Sequence, residues 1–230
     1  ATILHFHGNA ENITTHFLYL SWLANYGYDI IVFDYRGYGN STGTPSRDGL
    51  FSDSKAILKW IKNNLKTQDM FIVAQSLGGA VVIPAFVENP IPEVQAIILD
   101  STFASYRKIT RQKLSSIWLT WPLQWPLSFL ISDNLSPVDY IKKIKSPILF
   151  IHSLNDPVVP FESGKALFEE AENPKELWEL NEKNHCSALA TKDDKYRKKL
   201  LSYLCEHSSQ FKSSCEKDLR SKETTYIELF

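Results

Sequence analysis

Six short apolar segments recur along this chain, and a stretch with helical character separates most of them from the next. The segments are TILHFH (2–7), DIIVFDY (29–35), MFIVAQ (70–75), VQAIILD (94–100), SPILFIHS (146–153) and ELWEL (176–180). Most are continuously apolar rather than alternating, which is typical of strands covered on both faces, as in a parallel sheet. Because strands and helices alternate, we predict an α/β fold with a mostly parallel, doubly wound sheet.

Helical patterns fill the intervals between these segments, at 14–25, 50–65, 78–88, 163–172 and 196–205. One long segment, 104–137, breaks the alternation, since it holds no strand pattern and carries several tryptophans among prolines. We predict that it is a helical cap inserted into the domain. Residues 1–205 then form one α/β domain, and the polar stretch 206–230 forms a C-terminal tail.

The charge of the chain is balanced, with 25 Lys and Arg residues against 26 Asp and Glu residues. No large field attracts nucleic acid, so we expect no nucleic-acid partner and predict a small-molecule or lipid substrate.

No apolar run reaches the roughly 18 to 20 residues of a membrane-spanning helix. The three cysteines lack the spacing of a zinc site, and we expect His5 and His7 to face opposite ways from their strand, so we expect no metal.

The sequence Ala-Gln-Ser-Leu-Gly at 74–78 directly follows an apolar strand and directly precedes a helical pattern. This is the context of a nucleophile elbow, a cramped strand-to-helix turn that exposes a serine. Gly78 satisfies the need for a small neighbour, while Ala74 stands where glycine is usual. We therefore predict that Ser76 is a nucleophile, against the alternative that a small-x-Ser-x-small string arises by chance.

A second motif, His-Phe-His-Gly-Asn-Ala at 5–10, ends the first predicted strand. Such a turn can aim a backbone N–H at a developing oxyanion, and we predict the amides of Asn9 and Leu77 as the two donors. The alternative is a Gly-Asn turn that merely ends the strand. In the loop DYRGYGNS, which follows the next strand, we assign Asp34 and Arg36 a structural role.

The motifs HGNAEN, DYRGYGNSTG, AQSLGG and HSLNDPVVP, followed by a late His185, occur in the order seen in the α/β-hydrolase superfamily. The chain resembles the HGN-type branch over roughly residues 2–205. The resemblance implies a serine hydrolase similar to membrane-associated acyl-protein thioesterases (depalmitoylases) and acylglycerol lipases. The family has further strands before the HGN strand, so we expect N-terminal strands to be missing here and the 29–35 strand to be an exposed edge.

The resemblance also implies the order serine, acid, histidine along the chain, which leaves His152, His185 and His207 as candidate bases. His152 lies inside a strand and His207 lies in the polar tail, so His185, in a loop after the last strand, is preferred. Asp156, in the turn after the SPILFIHS strand, is the preferred acid. Asp100, at the end of the VQAIILD strand, is its rival.

These residues predict a Ser-His-Asp mechanism with an acyl-enzyme intermediate, acting on carboxylic esters or thioesters of acyl chains and needing no cofactor. The same triad could serve a peptidase or amidase. A third interpretation is an inactive scaffold that keeps the fold. Cys186 lies beside the predicted base but lacks the neighbours of an elbow, so a thiol nucleophile is disfavoured.

The predicted cap carries Trp118, Trp121 and Trp125 at helical spacing, although two prolines divide that helix. A basic stretch precedes them, formed by Arg107, Lys108, Arg111 and Lys113. We predict that the tryptophans bind substrate by lining an acyl pocket, or lay the enzyme on lipid; the alternative is that they pack the cap onto the core. Membrane association is thus expected through the cap or through residues preceding Ala1, and the compartment stays open.

Overall fold

Each of the six predicted strands is present, and every pair of neighbouring strands is parallel. The computed structural model describes residues 1–66, 69–190 and 194–209. The strands are β1 (Thr2–Phe6), β2 (Asp29–Val32), β3 (Met70–Gln75), β4 (Val94–Asp100), β5 (Ile148–Ser153) and β6 (Lys175–Leu180). They lie in the order β2-β1-β3-β4-β5-β6. The predicted α/β fold with a parallel sheet is confirmed.

The central strands β1, β3 and β5 are buried along their whole length, whereas β2 lies at one edge and is partly exposed. The edge position of β2 agrees with the prediction for the 29–35 segment. The strand is shorter than predicted, because its pairing with β1 ends at Val32, opposite His5.

Seven α-helices lie within the described residues: α1 (Ile13–Leu20), α2 (Arg47–Asn64), α3 (Leu77–Glu88), α4 (Tyr106–Ser115), α5 (Gln124–Phe129), α6 (Phe161–Glu170) and α7 (Asp194–His207). The predicted 14–25 helix is α-helical only to Leu20 and continues as a 3-10 helix, Ser21–Tyr26, which Gly27 ends in a left-handed conformation. Helix α2 begins before the predicted residue 50, because the Ser46 side chain caps it by accepting from the Gly49 amide.

Two apolar clusters cover the two faces of the sheet. Side chains of α2, α3 and α6 form one cluster with Ile72 and Ala74 of β3, and side chains of α1 and α7 form the other with Phe71 and Val73. Successive residues of β3 therefore point into opposite layers. This two-sided burial explains why the strand segments are continuously apolar.

The segment predicted as a cap lies between β4 and β5 and contains α4, a 3-10 turn (Trp121–Leu123) and α5. Its two ends meet at Asp133, whose carboxylate accepts hydrogen bonds from Ser105 Oγ, Arg107 N and Ser136 Oγ. The division into a 1–205 domain and a tail stays a prediction, because most of the predicted 206–230 tail lies outside the described residues. Among the described helices, none is both long and apolar enough to cross a bilayer.

Candidate active site

Ser76 occupies the turn between β3 and α3, at the carboxyl edge of the sheet. Its backbone has φ 49° and ψ −110°, a conformation that costs energy for any residue other than glycine. The Ser76 amide donates to the Asp100 carbonyl oxygen at 2.8 Å, which holds the turn against β4. The structure thus places Ser76 in the strained strand-to-helix turn that the sequence predicts.

Gly78 and Gly79, the second and third residues after Ser76, must be small because the end of β1 and the segment after β4 pass close by. A Cβ atom on Gly78 would lie 2.1 Å from the carbonyl oxygen of Phe6, and one on Gly79 would lie 2.0 Å from Thr102 Oγ1. Ala74, which stands where glycine is usual, is fully buried within the apolar layer of α2 and α3. The extra methyl group is accommodated there.

His185 and Asp156 are joined by a hydrogen bond of 2.7 Å between His185 Nδ1 and Asp156 Oδ2. The other carboxylate oxygen of Asp156 accepts from the amides of Val158 and Val159 at 2.7 and 2.9 Å. Burial alone would raise the pKa of Asp156, but these three hydrogen bonds and the charge of His185 lower that pKa below its ordinary value. Asp156 is therefore held as a carboxylate against the His185 ring.

Asp100, the rival acid, has other partners. Its carboxylate accepts from the Tyr19 hydroxyl and, at 3.0 Å, from Ser101 Oγ. Complete burial raises the pKa of Asp100. The structure brings Asp156 into hydrogen bonding with His185, while Asp100 joins β4 to α1.

The two other candidate histidines have backbone partners. His152 Nε2 lies 2.9 Å from the carbonyl oxygen of Val159, and His207 Nδ1 lies 2.9 Å from that of Tyr203. His152 is buried beneath the Asp156 turn, with Nε2 3.7 Å from Asp156 Oδ2. Neither ring lines the pocket that contains Ser76.

That pocket has a volume of about 560 Å³, and Ser76, His185 and Asn9 all line it. The loop holding Asn9 runs next to the serine, since a Cβ atom on Gly8 would lie 3.9 Å from Ser76 Cβ. Leu77 is the first residue of α3, so its amide has no intrahelical acceptor. The structure therefore brings Leu77 and the loop that holds Asn9 next to Ser76.

Helix α1 forms one wall of the pocket, and no sequence pattern indicated this contribution. His16 Nε2 lies 2.8 Å from the Ala10 carbonyl oxygen, and His16 Nδ1 lies 3.2 Å from Gln75 Oε1. Gln75 Oε1 is also 2.8 Å from His5 Nε2, and burial lowers the pKa of His5 to about 3. His16 thus links the loop after β1 to the residue that precedes the serine.

The expectation that the rings of His5 and His7 face opposite ways is wrong, because residues two apart in a strand lie on the same face. Both rings approach His16, with centroid separations of 6.1 and 4.9 Å.

Cys186 lies inside the site as well, which sequence reasoning treated only as a neighbour of His185. Its Sγ is 3.5 Å from His185 Nε2 and 3.6 Å from the Asp100 carbonyl oxygen. Burial raises the pKa of the Cys186 thiol well above its ordinary value. The thiol is therefore protonated at neutral pH, which disfavours it as a nucleophile.

The structure does not bring Trp118, Trp121 and Trp125 to the pocket. Their side chains are 85%, 61% and 56% exposed, and none of them lines the cavity around Ser76. This exposure also contradicts the alternative in which the three tryptophans pack the cap onto the core. These residues instead form part of the outer surface.

Comparison with known proteins agrees with this fold. Residues 1–136 match the Hydrolase_4 family, described as serine aminopeptidase, S33. The chain is 32% identical over 208 residues to YfhR of Escherichia coli strain K12, covering 89% of this chain and 70% of YfhR. It is 33% identical over 178 residues to the lysophosphatidylserine lipase ABHD12 of Mus musculus, covering 73% of this chain and 44% of ABHD12.

Solved structures show the same fold at lower identity. The Pyrococcus furiosus esterase Pf2001 has a TM-score of 0.67 at 22% identity, over 86% of this chain and 78% of that one. A monoacylglycerol lipase from Paleococcus ferrophilus has a TM-score of 0.66 at 18% identity, over 90% and 95%.

The parallel sheet, the elbow serine and these matches define the chain as a serine hydrolase of the α/β-hydrolase superfamily. Within that class the chain belongs to the Hydrolase_4 family and is a hydrolase of the esterase and lipase type.

Proposed function

We propose that this protein hydrolyses carboxylic esters through a triad of Ser76, His185 and Asp156. The observation that carries the proposal is the 2.7 Å hydrogen bond between His185 and a buried Asp156, in a pocket that His185 shares with the strained Ser76. A hydroxyl, an imidazole and a carboxylate in this chain order can activate the hydroxyl near neutral pH.

In this mechanism Ser76 Oγ attacks the acyl carbonyl carbon while His185 Nε2 takes the hydroxyl proton, and Asp156 stabilises the imidazolium that forms. The carbonyl oxygen, now negative, accepts hydrogen bonds from the Asn9 amide, in the loop after β1, and from the Leu77 amide at the N-terminus of α3. Each such donor contributes about 2.7 to 4 kcal/mol to transition-state stabilisation. His185 then gives the proton to the leaving oxygen, and water hydrolyses the acyl-enzyme by the same steps in reverse.

We propose an acyl ester or thioester of a lipid as the substrate class. The pocket of about 560 Å³ is large enough for part of an acyl chain, and its wall includes Leu18 and Val158. The relative named as a lysophosphatidylserine lipase supports a lipid ester. The family description, serine aminopeptidase, supports a peptide amide as the second candidate substrate.

A fluorophosphonate probe, which reacts with activated serines, tests the nucleophile. We expect labelling of the wild-type protein and of Cys186→Ala, and no labelling of Ser76→Ala. The Cys186 control matters because its Sγ lies 3.5 Å from His185 Nε2. Labelling that persists in Ser76→Ala contradicts the proposal, and a folded wild-type protein that never labels favours the inactive scaffold.

A substrate series separates the two candidate activities. Nitrophenyl esters of increasing chain length, matched thioesters and aminoacyl amides are compared by kcat/KM. We expect esters and thioesters to be cleaved and the amides to be at least about a hundredfold slower, a difference of roughly 2.7 kcal/mol in transition-state stabilisation. Faster cleavage of the amides favours the aminopeptidase interpretation.

A further inference from the structure

The exposed apolar side chains of this protein are concentrated on one part of the cap. Of the fifteen large apolar side chains exposed within the described residues, nine lie between Ile117 and Ile131. We call this stretch, residues 117–131, the Trp face. A monomeric protein rarely exposes so much contiguous apolar surface without a partner.

Cations accompany the Trp face. Between 104 and 132 the chain has four Lys or Arg residues and no Asp or Glu, and the acidic residues return only at Asp133. Two of the cations lie against the aromatic rings, with the Arg111 guanidinium 3.8 Å from the centroid of Trp125 and the Arg107 guanidinium 5.5 Å from that of Phe129. The other two, Lys108 and Lys113, are exposed.

We propose that the Trp face docks on an anionic lipid bilayer, lying in the plane of the interface. Indole rings favour the boundary between headgroups and acyl chains, and adjacent Lys and Arg side chains are attracted to anionic lipid. A second copy of this chain fits the surface less well, because a two-fold contact places this patch of four cations against an identical patch. This inference goes beyond the proposed hydrolysis.

The location of the active site is compatible with such docking. None of the residues that line the pocket around Ser76 comes from the 104–137 segment, so lipid on the Trp face occupies a surface separate from the catalytic groups. The cap helices are also short, ten residues for α4 and six for α5, as expected of elements that lie on a bilayer rather than cross it.

Vesicle flotation of the 230-residue chain tests the proposal. We expect the wild-type protein to float with vesicles of phosphatidylcholine and phosphatidylserine and to float less with phosphatidylcholine alone. Trp118→Ala and Trp121→Ala should each lower the partition coefficient about tenfold. The double variant Lys108→Gln/Lys113→Gln should lower it by roughly thirtyfold on the anionic vesicles only.

Trp60 provides the matched control, because it lies on α2, outside the cap, and its side chain is 50% exposed. Trp60→Ala should float like the wild type, and so should Ser76→Ala, which separates docking from catalysis. No flotation of the wild type, or an equal loss in Trp60→Ala, overturns the proposal. A cap variant that dissociates a dimer in sedimentation, in the absence of lipid binding, also overturns it and assigns the face to self-association.

Discussion

The carboxyl edge of the sheet and the cap use polar and apolar side chains in opposite ways. At the sheet edge, Asp100, Asp156 and His152 are buried polar groups, and each has an identified hydrogen-bond partner. On the cap, large apolar groups such as Trp118 and Leu130 are exposed to solvent. The sheet edge holds individual polar atoms in place through hydrogen bonds, whereas the cap exposes a broad apolar surface beside positively charged side chains.

This difference indicates how each region responds to substitution. In the proposed mechanism, catalysis at the edge depends on groups held at hydrogen-bond distance, so changing one atom of Asp156 alters its hydrogen bond to His185. Binding through the cap is a sum over many side chains, so one substitution there removes only a share of the affinity and little of the fold's stability.

The largest expected effect is a loss of kcat, and it distinguishes Asp156 from Asp100 as the acid of the proposed triad. Asp156→Asn should lower kcat by about 10⁴-fold, because an amide no longer stabilises the His185 imidazolium or fixes its tautomer. Asp100→Asn should leave kcat much closer to that of the wild type, because the Asp100 carboxylate accepts from Tyr19 and Ser101 instead. Steady-state kinetics on a nitrophenyl ester measures both.

Full activity in Asp156→Asn removes this residue from the triad. A loss of activity in Asp100→Asn as large as in Asp156→Asn, with a normal melting temperature, reassigns the acid to Asp100.

The next effect contrasts the regions by stability. Gly78→Ala should destabilise the protein by about 3 kcal/mol, since the added Cβ would lie 2.1 Å from the Phe6 carbonyl oxygen and the backbone must move. Trp118→Ala should change stability by less than about 0.5 kcal/mol, because the side chain is exposed. Urea unfolding compares the two variants, and equal destabilisation contradicts the view that the Trp face has no structural role.

The parallel sheet and the elbow serine were predictable from sequence, because both depend on local patterns. Continuous apolar strands indicate two-sided burial, and the need for a small residue at 78 follows from the turn itself. The pairing of His185 with Asp156 rested on the order of motifs in a resembling family. The structure brings the two side chains together, and their catalytic roles stay a prediction.

The strand order and the role of α1 were not predictable, because they depend on contacts between residues far apart in the chain. Tyr19 and Asp100 are 81 residues apart, and His16 and Gln75 are 59 apart. No local pattern states that α1 packs over the end of β1. The exposure of the three cap tryptophans could not be predicted either, because the same helical spacing is found on buried and on exposed helix faces.

His16 gives a smaller test of the edge, as a positioning residue. His16→Ala should lower kcat roughly tenfold with little change in KM, because the loop after β1 loses its link to Gln75 and Asn9, the proposed oxyanion donor, shifts. His16→Gln, which keeps a hydrogen-bonding side chain, should restore part of kcat. A rise in KM alone, with kcat unchanged, contradicts the positioning role and indicates substrate contact.

The smallest expected effect is on the pH dependence of stability. It distinguishes Asp100, at the sheet edge, from Asp133, at the base of the cap. Burial raises the pKa of Asp100 above its ordinary 3.8, so its stabilising contribution is greatest below that pH and falls as pH rises through the folded-state pKa. Asp133 behaves oppositely. Burial tends to raise the pKa of Asp133, but hydrogen bonds from Ser136, Arg107 and Ser105 lower it below 3.8, so its contribution is lost as pH falls.

Urea unfolding of Asp100→Asn and Asp133→Asn from about pH 3 to about pH 6 measures these slopes. The stability of the wild type relative to Asp100→Asn should decrease with rising pH, and that relative to Asp133→Asn should increase. For each carboxyl group, a tenfold difference in acidity between the folded and unfolded chain changes stability by at most about 1.4 kcal/mol. If the two stability differences changed with pH in the same direction, the pKa values of Asp100 and Asp133 would be shifted the same way on folding. That result contradicts the view that burial dominates at Asp100 and hydrogen bonding dominates at Asp133.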